Sequence, residues 1–83
     1  MIQKKKLDRV MELYEEMRGG DIRTFDHDDP NDWYAWGYMQ VSLGKPFRSH
    51  EYLKMYTFMP DDTVCFDAYT MGWQDAMGDL DGH

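Results

Sequence analysis

Carboxylates and aromatic rings are the side chains with most scope for chemistry in this 83-residue chain, and the densest group is Asp26-His27-Asp28-Asp29. Carboxylates and one imidazole can bind a divalent ion, but the glycine and closing glutamate of a calcium loop are missing, as is a paired histidine motif. A helix start accounts for the same residues. Asp29 can accept backbone N–H bonds, Pro30 fits the first helical position because its missing donor costs nothing there, and Asp32 adds negative charge to the first turn. His50 and His83 stand apart from any catalytic companion. Cys65, in an apolar stretch, reads as a small buried hydrophobe, and a single cysteine suits a reducing cytosol better than a secreted scaffold. No nucleophile with its base and no phosphate-cradling glycine loop can be read. A chain this short leaves little space for a cleft of about 300 Å³ beside a core. The expectation is a protein without catalytic centre, metal or cofactor.

The elements that must carry these residues are helical. From Ile2 to Arg18, Leu7, Val10, Met11, Tyr14 and Met17 recur at steps of three and four opposite a charged side, which predicts an amphipathic helix. Gly19 and Gly20 end it, the first being able to take the left-handed conformation. Residues 21–29 read as a loop with Ile22 and Phe25 as anchors. A second helix is expected from Pro30 to Leu43, stopped by Gly44 and Pro46. Residues 47–59 are ambiguous: Leu53 to Met59 alternates weakly like a strand, yet Ser49 as a cap before Tyr52, Leu53 and Tyr56 favours a short helix. Asp61 and Asp62 cap a last helix from about Thr63 to Met77, closed by Gly78, with residues 79–83 frayed. The sum is one all-α domain over residues 1–83, a bundle of three to four helices. Its aromatic content, 16% of residues, supplies the packing that a small fold without disulfides needs. No apolar run reaches the length of a membrane span, and the basic start leads into an amphipathic segment, not a signal core, so a cytoplasmic location is expected.

Charge narrows the class of partner. The net charge is −7, and residues 55–83 hold six Asp with no Lys or Arg. Such a surface repels phosphates, making direct nucleic-acid binding unfavourable, and attracts a basic protein surface. Two basic patches remain, Lys4-Lys5-Lys6-Arg9 and Lys45-Arg48-Lys54.

Two segments share a texture of paired Asp, an aromatic-rich turn and a glycine beside an aromatic: Asp28 to Tyr38 and Asp61 to Trp73. Glycine inside a helix costs about 0.5–1 kcal/mol relative to alanine. Close contact of the two helices at Gly37 and Gly72, flanked by Trp36, Tyr38 and Trp73, would justify that cost. Gly37-Tyr38, Gly44-Lys45 and Gly72-Trp73-Gln74-Asp75-Ala76-Met77, with Asp79 beyond, fall in the order seen in the ribosome modulation factors, and over residues 33–79 the chain resembles that family. The resemblance implies an antiparallel helix pair over residues 30–79 joined by a connector, here longer, with the N-terminal helix as an addition. It also implies a ribosome-associated role, since those proteins bind ribosomal RNA in driving ribosome dimerisation and hibernation. They are strongly basic, however, and this chain has the opposite sign.

Acid charge and aromatics together give the leading functional expectation. Carboxylates on a rigid scaffold can occupy the basic groove of a nucleic-acid-handling protein and imitate phosphates, with an exposed Trp or Tyr as anchor. The candidate contact residues are Asp26, Asp28, Asp29, Asp32, Asp61, Asp62, Asp67, Asp75 and Asp79. Small acidic inhibitors of host defence from viruses and mobile elements, anti-CRISPR and anti-restriction proteins among them, offer an analogy of class. Self-association through the Leu7, Val10, Tyr14 and Met17 face is a third possibility.

Overall fold

A computed structural model describes the backbone of residues 4–81 and the side chains of residues 8–79. The described residues form four helices and no strand: α1 Lys4–Arg18, α2 Pro30–Ser42, α3 His50–Thr57 and α4 Thr63–Asp81. None is long and apolar enough to cross a membrane. The expected positions of Leu7 and His83 lie outside the described side chains.

Helix α2 is the centre of the molecule. Asp29 caps it by accepting from Asn31 N at 2.9 Å, with Pro30 in the first turn. Gly44, at φ +71°, ends it as its N–H bonds Val41 O and Lys45 N bonds Gln40 O. One side of α2 places Ala35 and Met39 in a cluster with Val10 and Leu13 of α1, and the other places Trp33 in a cluster with Leu53, Met59, Cys65 and Tyr69. Phe25, from the loop before α2, and Trp36 pack against both clusters and join them.

The expected apolar face of α1 packs inward through Val10, Tyr14 and Met17, with Leu13 taking the place of Met11. Leu13 is fully buried and Val10 nearly so, whereas Met11 is 53% exposed. The face expected to pair with a second copy is largely spent on α2. At the end of α1 it is Gly20, at φ +104°, that takes the left-handed conformation, not Gly19.

Helices α2 and α4 meet at their glycines as expected. A Cβ on Gly37 would collide with the carbonyl oxygen of Tyr69, and one on Gly72 with the carbonyl oxygen of Tyr34. The two helices run in the same direction, however, where the family resemblance implied an antiparallel pair. Tyr34 donates its hydroxyl to Asp75, Tyr38 donates to Asp79 at 2.5 Å, and the start of α4 lies by the loop preceding α2, with Cys65 Sγ 3.8 Å from His27 O. The cause is the connector. Residues 45–62 return along α4, with Phe47 against Tyr69 and Trp73, His50 stacked on Phe66, and Leu53 and Met59 in the core.

Helix α4 also continues through Gly78 to Asp81, four residues beyond its expected end at Met77. Gly78 is not left-handed, and the Tyr38–Asp79 bond fastens the following turn to α2.

Candidate protein-docking surface

Of the nine carboxylates expected to face a partner, three are tied into the fold, four gather at one end, and Asp61 and Asp67 stand apart from both groups. Asp32 is 5% exposed. It accepts from Arg9 Nε at 2.7 Å, Arg9 Nη2 at 2.9 Å and Asp26 N at 2.8 Å. Burial, the largest single influence, disfavours its charge, but the hydrogen bonds from Arg9 and Asp26 N with the guanidinium charge outweigh it and hold the carboxyl below its ordinary range. Asp75 and Asp79 are engaged by Tyr34 and Tyr38. Burial first, and then these carboxylates, push both phenols up, Tyr38 to about 12. Asp32, Asp75 and Asp79 therefore fasten α1 and α4 to α2 and are not free contact residues.

The second group gathers at one end. The loop before α2 and the start of α4 bring Asp26, Asp28, Asp29 and Asp62 around Cys65. The thiol is buried and pushed up, first by that burial and then by the charges of Asp62, Asp28, Asp29 and Asp26. Each acid has a local task or none. Asp26 accepts from Asp28 N at 2.9 Å, Asp29 caps α2, and Asp62 accepts from Val64 N at 3.1 Å. Among the described residues the Asp28 side chain makes no hydrogen bond, and no Lys or Arg forms an ion pair with any of the four. Asp61 is shared with Lys54 at 3.3 Å in an exposed pair. Asp67 is exposed further along α4.

Loop 23–26 is tied to α1 and α2 by hydrogen bonds. Glu16 of α1 accepts from Arg23 N at 2.6 Å, Thr24 N at 2.9 Å and the Thr24 hydroxyl, and Thr24 O accepts from Arg9 Nη2 at 2.9 Å. The carboxylates that follow thus begin from a hydrogen-bonded stretch of backbone.

Beside them lies an open aromatic cleft of about 290 Å³, lined by Phe25, His27, Trp33, Trp36, Tyr56 and Phe58 among others. No pattern in the sequence points to it. A cleft of this size exists because the loop before α2 and the end of α3 leave a gap at the surface over Trp33 and Trp36 of α2. Phe58, one of its walls, is 78% exposed and left-handed at φ +61°.

The basic patches are partly spent within the fold. Arg9 serves Asp32, Lys54 lies 3.0 Å from Glu51 as well as near Asp61, and the Arg48 guanidinium lies 4.4 Å from the centre of the Tyr52 ring. Among the described residues no three His, Cys, Asp or Glu side chains converge where they could hold a metal ion.

No family model, curated protein or solved structure matches the chain.

Proposed function

We propose that this protein is a non-enzymatic acidic binding protein, acting in the cytosol, that inhibits or modulates a nucleic-acid-handling protein by covering its basic surface. One observation carries the proposal: Asp26, Asp28, Asp29 and Asp62 collect at one end, and among the described residues no Lys or Arg forms an ion pair with them. Like charges brought together in this way are unfavourable for folding, and a basic partner would relieve the repulsion and speed encounter. An anti-defence role of viral or mobile-element type, with the carboxylates standing in for phosphates, is the form of this activity that the charge pattern fits.

A ribosome-associated role is the second reading. Its support is the pair of helix-contact glycines, Gly37 and Gly72, which belong to the motifs shared with the ribosome modulation factors and do pack backbone to backbone. Those residues serve the scaffold, so the role would have to operate through protein contacts.

The test uses affinity capture from cell lysate, followed by a displacement assay on each captured protein. Wild type should release nucleic acid from its partner, and the Asp26→Asn, Asp28→Asn, Asp62→Asn variant should fail to do so. Capture of ribosomal proteins with equal strength by both forms would favour the second reading and contradict the first.

A further inference from the structure

The aromatic cleft and the acidic end share a wall. His27 lines the cleft and is flanked in the chain by Asp26 and Asp28, while its carbonyl oxygen accepts from Trp33 Nε1 at 2.8 Å and lies 3.8 Å from Cys65 Sγ. The His27 ring stands edge-on to Phe25, Trp33 and Phe58, with centroids 5.1, 6.0 and 6.3 Å away. A cleft lined by aromatic rings, with Asp26 and Asp28 on either side of its His27 in the chain, has a defined electrostatic preference. Ring quadrupoles and anions both attract a cation, and aromatic walls cover the methylene stem that carries it.

Phe58 supplies an independent observation. It ends α3 in the left-handed region, with its N–H and that of Met59 turned back to Leu53 O. Glycine is the ordinary residue in that conformation, and a bulky side chain there is strained. Burial does not explain the choice, since Phe58 is 78% exposed. A strained, solvent-facing ring at the mouth of a cleft is kept in place at a cost to the fold, and contact with a ligand would account for it.

We infer that this cleft receives an arginine or lysine side chain from a basic protein segment, with Phe58 closing over its stem and Asp26, Asp28 and Asp62 pairing with neighbouring cations of that segment. The inference deepens the proposed function by naming its anchoring subsite, and it rests on that function.

The probe is a short oligoarginine peptide, with its citrulline counterpart as the neutral control, titrated against the whole chain by calorimetry. Phe58→Gly should raise the melting temperature by relieving the left-handed strain, yet weaken oligoarginine binding about ten-fold. Phe58→Leu, which keeps a side chain in the same conformation, should weaken binding similarly without raising the melt. Unchanged affinity in both Phe58 variants, with affinity lost in the Asp26→Asn, Asp28→Asn, Asp62→Asn variant, would overturn the subsite and leave the acidic docking surface standing. Equal binding of the citrulline peptide would overturn cation recognition. Concentration-dependent dimerisation of wild type that Phe58→Gly abolishes would put a second copy in the cleft and overturn the inference. Failure of wild type to bind oligoarginine at all would overturn the subsite and the proposed function together.

Discussion

The carbonyl oxygen of Tyr34 occupies the space that the Cβ of any larger residue at Gly72 would need. Gly37 has the same relationship to Tyr69, so α2 and α4 touch through backbone at two points. Neither glycine is left-handed, and their value is the absence of a side chain. Alanine at either site gains about 1 kcal/mol of helix propensity. The collision is with backbone and can be relieved only by moving a helix, so overpacking should win. Gly37→Ala and Gly72→Ala should each lower stability by about 2 kcal/mol or more in denaturant titration. A stabilising effect at either position would contradict the close contact.

Arg9 and Asp32 form the principal polar tie between α1 and α2. Removing one member leaves the other without its partner in a largely buried site. Arg9→Ala should cost about 3 kcal/mol, well above the effect of breaking the exposed Arg18–Glu15 pair. The Asp32 carboxyl is held below its ordinary value of 3.8, so its contribution is fully present above that pH and is lost as pH falls through the depressed folded value. Thermal melts in progressively more acid buffer should show this loss in wild type and a shallower one in Asp32→Asn.

At alkaline pH the relevant group is Tyr38. Its phenol is raised from 10.0 to about 12 by burial and by its bond to Asp79, so the folded form retains a proton that the unfolded form gives up. Stability from this source should be intact below pH 10 and decline through pH 12. Phenolate absorbance should place one tyrosine transition near the upper value, and Tyr38→Phe should remove it.

Cys65 is 2% exposed, and its thiol is raised by burial and by four nearby carboxylates. Both effects suppress the reactive thiolate. Alkylation under native conditions should be slower than in denaturant by at least an order of magnitude. Equal rates would mean that the acidic end opens readily.

Local signals made most of the helices legible. Asp29-Pro30, Ser49 and Asp62 cap α2, α3 and α4 as their types predict, and Gly44 ends α2. These features depend on residues a few positions apart. The glycine contact was also legible, because a helix-interior glycine beside aromatics has few other uses. The direction of α4 was not, since it depends on where a connector of about twenty residues docks, and Phe47, Leu53 and Met59 decide that through contacts distant in sequence. The place of Leu13 in the α1 face escaped for a related reason: Met11 and Leu13 both fit a helical stripe beside Val10, Tyr14 and Met17, and only the neighbourhood of Ala35 and Met39 selects Leu13.

The candidate site was legible in part. The Asp26, Asp28, Asp29 and Asp62 cluster lies among the expected contact residues, because acid density shows in composition. Asp32, Asp75 and Asp79 could not be told from them without knowing that Arg9, Tyr34 and Tyr38 meet them across the fold. The cleft had no sequence signal, as its walls come from segments some thirty residues apart.

The most direct test of the account is the salt dependence of binding to a captured basic partner, compared between wild type and the Asp26→Asn, Asp28→Asn, Asp62→Asn variant. Asparagine can accept the same backbone hydrogen bonds, so the local caps survive and only charge is lost. Wild-type affinity should fall steeply with ionic strength, and the variant should bind more weakly with a clearly shallower dependence. Identical affinities and identical salt slopes in the two proteins would contradict the central claim that this acidic end is the docking surface.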